Sequence, residues 1–211
     1  AGLFNPGTAT IGVNTISYTV TVAGCSASST TNILVNAVPN SSITGAGPFC
    51  SSSPAVTLNV TTPGGVFSGT GVNSTGTFNP ANALIGANTI TYTVTSGGCT
   101  SSSSTSIIVN QTPNSTIQPA GPFCANQSAV NLVASTSGGT WSGASCLTSA
   151  GVFTPSGCGA GTYTVTYSVT LGSCSSSSTS TIVVNSVPNA TITPTGPFCS
   201  TDPAVTLTAA T

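Results

Sequence analysis

The chain has 211 residues, with no Lys, Arg or His and one acidic residue, Asp202, for a formal net charge of −1. Ordinary soluble domains are roughly a quarter charged. That deficit removes general acid–base catalysis apart from one isolated carboxylate, phosphate neutralisation on a nucleic acid, and calcium binding by clustered carboxylates.

Three markers then appear in chain order and return with a common period. Gly24-Cys25 recurs as Gly98-Cys99 and Ser173-Cys174. Val38-Pro39-Asn40 recurs as Thr112-Pro113-Asn114 and Val187-Pro188-Asn189. Gly47-Pro48-Phe49-Cys50 recurs as Gly121-Pro122-Phe123-Cys124 and Gly196-Pro197-Phe198-Cys199, each time 74 and then 75 residues on. Pro fixes φ and cannot donate to a sheet ladder, so the Pro-Asn dipeptides read as linkers. The chain then divides into the back part of one module (1–38), two complete modules (39–112 and 113–187) and the front of another (188–211). It reads as a window cut from a longer array.

Within the first complete module, Val56, Leu58 and Val60 alternate with Thr57 and Asn59, the period-two pattern of a half-buried strand. Two short aromatic strands follow at 66–68 and 77–79, with Phe67 and Phe78 as core residues. Ile90, Tyr92 and Val94 alternate with Thr91 and Thr93, and Ile107 and Val109 close the module. In the next module Trp141 takes the place of Phe67 and Phe153 that of Phe78. No stretch repeats its apolar residues at 3.6. Six or seven short strands in ~75 residues predict an all-β tandem array of small immunoglobulin-like β-sandwich modules. Cores of this size are marginal alone, and disulfides closing loops of ~50 residues would add a few kcal/mol.

The eight cysteines suggest a disulfide framework formed in an oxidising compartment. Cys146 and Cys158 occur only in module 113–187, flank an expected Trp141-to-Phe153 hairpin, and are expected to pair. The repeated cysteines allow two schemes. Pairing within modules gives Cys50–Cys99 and Cys124–Cys174, with Cys25 and Cys199 paired outside the window. Pairing across linkers gives Cys25–Cys50, Cys99–Cys124 and Cys174–Cys199. The first is preferred, because the ~25 residues between partners in the second could run extended for tens of Å, whereas a disulfide needs Cα atoms within ~7 Å.

The run Gly139-Thr140-Trp141-Ser142-Gly143, then Phe153-Thr154-Pro155, the strand 161–167 and Cys174, resembles the Ig-like or PKD-like repeats of giant surface proteins of Bacteroidetes. The preceding module carries the same series as Gly65-Val66-Phe67-Ser68-Gly69, Phe78-Asn79-Pro80, the strand 89–95 and Cys99. The resemblance covers nearly the whole chain. It implies adhesins exported by type IX secretion, including the filamentous adhesin of gliding cells, and so a surface-anchored extracellular filament.

The expected function is therefore that of a rigid, disulfide-stapled stalk for attachment or gliding, not of an enzyme, with no cofactor or metal. Its expected partners are neighbouring modules of the same chain, with surface polysaccharide or other copies of itself as candidates; nucleic acid and membrane insertion are not expected. A carbohydrate-binding module is the first alternative, with Trp141 stacking on a sugar, although a core role in the place of Phe67 explains that residue equally. A laterally polymerising matrix or sheath fibre is the second, since natural sheet edges are usually guarded by charge and this chain has none to use. Thr on alternate positions of 15–22, 89–95 and 162–170 could serve an ice or inert surface, or simply reflect β-propensity. Sequons at Asn40, Asn59, Asn73, Asn110, Asn114, Asn126 and Asn189, and the Ser runs 101–104 and 175–178, are candidate glycan sites. Asp202, beside Pro203, reads as a turn residue.

Overall fold

The structure is a computed structural model that describes residues 2–193 and 195–209. The chain forms two compact units, Ala1–Gln111 and Thr112–Thr211. Its architecture is all-β, with sheets packed face to face as in a sandwich.

The first unit opens with a long antiparallel hairpin of β1 (Gly12–Val22) and β2 (Cys25–Val35), in register from Gly12↔Val35 to Val22↔Cys25. Four short strands follow: β3 (Phe49–Cys50), β4 (Val56–Thr57), β5 (Val66–Gly69) and β6 (Thr77–Phe78). A second long hairpin of β7 (Gly86–Ser96) and β8 (Cys99–Asn110) completes the unit. The alternation of apolar and hydroxyl residues along β7 sends Ile90, Tyr92 and Val94 to one face and Thr91, Thr93 and Thr95 to the other. One sheet has the order β3-β8-β7-β5, with β3 lying parallel on the final residues of β8. Facing it, β4 pairs with β6, extended by the bridges Ile43↔Val60 and Val72↔Phe78. Leu58, Phe67, Phe78, Ile90, Tyr92, Val94, Ile107 and Val109 meet between the two layers. Phe78, at 0% exposure, contributes about 2–3 kcal/mol by its burial alone.

The second unit repeats the plan. Its strands are β9 (Phe123–Cys124), β10 (Val130–Asn131), β11 (Thr140–Ser142), β12 (Val152–Phe153), β13 (Gly161–Leu171) and β14 (Cys174–Asn185). The large sheet is ordered β11-β13-β14-β9 and the small one is β10–β12. Its core is Leu132, Trp141, Phe153, Val165, Tyr167, Val169, Ile182 and Val184. Each of these is the counterpart, 74 or 75 residues on, of a core residue of the first unit. The Gly-Pro bonds at Pro48, Pro122 and Pro197 are all cis.

Two sequence expectations need correction. Trp141 and Phe153 do not belong to one hairpin: β11 pairs with β13 in the large sheet, whereas β12 pairs with β10 in the small one, so the chain between them crosses from one layer to the other. The strands are also not everything. A 3-10 turn at Pro80–Asn82 and a one-turn α-helix, α1 (Pro155–Cys158), follow the second aromatic strand in each unit. Pro at the first helical position starts both turns, being pre-set in φ with no N–H to satisfy.

Tyr92 shows how local sequence fixes this packing. Its hydroxyl donates to the Thr62 carbonyl at 2.7 Å and accepts from the Gly65 N–H at 2.8 Å. Its ring stacks obliquely on Phe67, with centroids 4.6 Å apart. Gly65 is required by close approach, because a Cβ there would lie 2.3 Å from the Thr93 carbonyl oxygen. Tyr167, Thr136, Gly139 and Trp141 repeat the arrangement in the second unit.

The hairpin β1–β2 carries the same inward pattern without the same cover. Ile16, Tyr18 and Val20 are 38%, 69% and 42% exposed, whereas their counterparts Ile90, Tyr92 and Val94 are at 0–2%. Near the other end, the described part of 188–209 has only the isolated bridge Ile192↔Ala209.

Candidate functional site

The residues with covalent chemistry are the cysteines, and strand register decides what each can reach. Cys146 and Cys158 are bonded to each other, with Cα atoms 5.3 Å apart. Their positions have counterparts in the first unit. The Cys146 carbonyl accepts from the Thr154 N–H at 2.9 Å, as the Gly71 carbonyl accepts from the Asn79 N–H at 2.7 Å. Cys158 stands 75 residues after Ala83. A Cβ on Gly71 would lie only 2.8 Å from the Ala83 Cβ. The cystine therefore joins two positions that the fold already brings close together. It ties the crossover to α1, and the Tyr163 hydroxyl donates to the Cys158 carbonyl at 2.7 Å beside it.

The expected pairs Cys50–Cys99 and Cys124–Cys174 do not form. Cys99 and Cys124 are free, as are Cys25 and Cys199, while Cys50 and Cys174 are each in a disulfide. Topology gives the reason. Cys50 in β3 is opposite Asn110, the last residue of β8, and Cys99 is the first. A strand of that length, at about 3.3 Å per residue, holds the two ends about 36 Å apart, far beyond the ~7 Å a disulfide spans. Cys124, opposite Asn185, is separated from Cys174 in the same way along β14. The cross-linker alternatives Cys25–Cys50, Cys99–Cys124 and Cys174–Cys199 are also absent, since each would use a cysteine that is free.

At the β7–β8 turn the first unit makes a specific contact. The Asn36 side-chain N–H donates to the Gly97 carbonyl at 2.6 Å, and the Cys99 Sγ lies 3.7 Å from the Asn36 carbonyl oxygen. Asn36 follows directly on the end of β2. A cavity of about 320 Å³ opens at this place, lined among others by Phe4, Val35, Asn36, Gly98 and Cys99.

Trp141 is 6% exposed and packs on Tyr167 with ring centroids 4.7 Å apart. It occupies the Phe67 position in the second core. The Thr-rich face of β7 spends its hydroxyls on β8: Thr91 with Ser104 at 2.8 Å, Thr93 with Ser102 at 3.1 Å and Thr95 with Thr100 at 2.9 Å. On the inner face, Ser103 donates to the Ser41 carbonyl, and Ser178 donates to that of Ser115. The linker residues Asn40, Asn114 and Asn189 each accept from the backbone N–H two residues on. Asp202 accepts from the Cys199 N–H at 2.6 Å, in the place where Ser53 serves Cys50 and Gln127 serves Cys124. The one side-chain carboxylate is thus a turn cap with hydroxyl and amide equivalents.

Sequence reasoning missed Asn88, a buried side chain that accepts from the Leu84 N–H and donates to the Leu84 and Gly86 carbonyls. The signal was present: Asn14, 74 residues earlier, holds the carbonyls of Thr10 and Gly12 in the same manner. Among the described residues no three His, Cys, Asp or Glu side chains gather where a metal could sit, and no helix is long and apolar enough to cross a membrane. The Cys146–Cys158 cystine is consistent with a secreted or extracellular protein. Comparison with protein-family models and with curated proteins finds no match to this chain.

Proposed function

We propose that these repeats form a non-catalytic stalk in a long extracellular filament or surface adhesin. The observation that carries this reading is the recurrence of one sandwich core, residue for residue, at a spacing of 74 or 75. Such modules in series behave as a quasi-one-dimensional array whose length grows with copy number. The composition supports the same reading, because a chain with one ionisable acid and no base has little with which to perform proton chemistry or hold ions. The resemblance to Ig-like or PKD-like repeats of type IX-secreted adhesins supports a filament on a Bacteroidetes cell surface, serving attachment or gliding. Its partners are its own neighbouring modules, with surface polysaccharide or other copies of itself as further candidates.

The test is on cells. An antibody raised against residues 39–187 is expected to decorate shearable surface filaments. Cells lacking the gene are expected to attach or glide poorly; normal attachment and gliding in those cells would refute the proposal.

A further inference from the structure

We propose that the open edge of the closing hairpin strand, β8 in the first unit and β14 in the second, is an interaction surface for a second copy of this chain, whose own edge pairs with it strand to strand. Pairing of this kind goes beyond the stalk reading and is independent of it, and each unit carries the edge by itself.

The marker segment reveals which way the backbone groups point. The Asn110 carbonyl accepts from the Ser51 N–H at 2.8 Å, so Asn110 turns its backbone toward β3 and away from β7. Residues along a strand address its two sides alternately. β8 pairs with β7 one to one from Val109 back to Cys99, with no bulge to break the alternation. Thr100, Ser102, Ser104 and Ser106 therefore aim their N–H and C=O groups outward, while Ser101, Ser103 and Thr105 bond β7. On the outer side β3 covers only Val109 and Asn110, and a Cβ on Gly47 would lie 3.5 Å from Ile107, where the chain leaves the edge. Among the described residues no strand pairs with the rest of that side. β14 repeats the arrangement. The Asn185 carbonyl accepts from the Ala125 N–H at 2.9 Å, the register with β13 is unbroken, and Ser175, Ser177, Thr179 and Thr181 face outward.

Natural sheets protect such edges with Lys, Pro, a bulge or a covering segment. These two runs have none of them, and their outward residues are all exposed Ser or Thr. The same features select the occupant. A chain of formal net charge −1 meets its own copy almost without repulsion. A foreign edge guarded by lysine would instead set an unpaired charge against serine. Antiparallel pairing of one edge with the same edge of a second copy, about a twofold axis, presents donor to acceptor at each outward residue. The side chains can extend the ladder. Ser104 and Ser102 already bond Thr91 and Thr93 on the β7 side, and a hydroxyl offers one donor and two acceptor sites, so each keeps capacity for the partner's serine.

The test combines sedimentation and hydrogen exchange on the 211-residue chain, with the free thiols of Cys25, Cys99, Cys124 and Cys199 alkylated so that disulfide exchange cannot link copies. The average mass should rise above that of the monomer between about 10 µM and 1 mM, the range of weak protein contacts. In dilute solution the N–H groups of Thr100, Ser102, Ser104 and Ser106 should exchange at least about tenfold faster than those of Ser101, Ser103 and Thr105, and association should slow them selectively. Ser102→Lys, Ser104→Lys, Ser177→Lys and Thr179→Lys together place like charges across the new rung. That variant should stay monomeric over the whole range with Trp141 emission unchanged, and the wild-type exchange pattern stands as a test whether or not the variant folds. A wild-type chain that remains monomeric, outward amides that stay fast in the associated state, or association undiminished by the lysines would overturn the proposal. Stacking through the exposed Ile16, Tyr18 and Val20 of the first hairpin would give the last two results. None of these readouts depends on adhesion, so the stalk reading and the edge pairing can fail separately.

Discussion

Removing the Cys146–Cys158 cystine should destabilise the second unit and leave the first alone. The bond encloses twelve residues of sequence separation. Constraining a loop of that size in the unfolded chain is worth about 3 kcal/mol in the loop-entropy account. Trp141 is the chain's single Trp and is buried in the second core, so tryptophan emission reports that unit selectively. In Cys146→Ala/Cys158→Ala, with a guanidinium slope of about 2 kcal/mol per molar for so small a unit, the Trp transition should fall by about 1.5 M. The internal control is the chain carrying Phe67→Trp and Trp141→Phe, whose single Trp reports the first unit's core and whose transition should not move when the cystine is removed. A Trp midpoint that shifts by less than about 0.3 M would refute the argument, and with it the claim that the cystine reinforces an otherwise marginal core.

Gly65→Ala and Gly139→Ala should each cost about 3 kcal/mol, because the new methyl meets a carbonyl oxygen and the tyrosine ring; separate unfolding transitions measure this. Trp141→Phe should retain the fold and lose only about 1–2 kcal/mol by urea denaturation followed by circular dichroism, since Phe67 fills the same site in the first unit. Unfolding midpoints should change by less than about 0.5 kcal/mol between pH 5 and 8 or between low and high salt, because stability follows the difference in bound protons and one side-chain acid contributes almost none. Gly71→Cys/Ala83→Cys should not reproduce the natural cystine, since Gly71 has φ +83°, and thiol titration should find both cysteines largely reduced.

Much of the fold was legible because two independent signals agreed. Period-two alternation located Ile90, Tyr92 and Val94 on an inner face, and the 74-residue repeat located their counterparts. The same repeat made Trp141 a core residue before any contact was known, since Phe67 stood in its place. What the sequence did not disclose was pairing between distant strands. Cys50 and Cys99 lie in one module and look like natural partners, yet their separation depends on β3 docking in parallel at the far end of β8, which no local pattern encodes. The supposed hairpin from Trp141 to Phe153 failed for the same reason. Short aromatic strands separated by glycine fit either a turn within a sheet or a crossover between layers, and only the partners of each strand distinguish them.

The comparison of Gly71 with Cys146 shows how such a repeat acquires a staple without redesign. In the first unit the backbone at Gly71 is left-handed and close to Ala83, a geometry hostile to any side chain. The second unit contains one more residue between Gly143 and Leu147 than the first has between Gly69 and Val72. Among the described residues Ala23 is the only non-glycine with positive φ, so Cys146 has left the left-handed region that Gly71 occupies. The insertion relaxes the backbone while the carbonyl at that position keeps its partner, the N–H of Thr154 or Asn79. A contact too tight for two side chains thereby becomes one fit for a cystine. Cys146–Cys158 closes a short loop and holds a single core together.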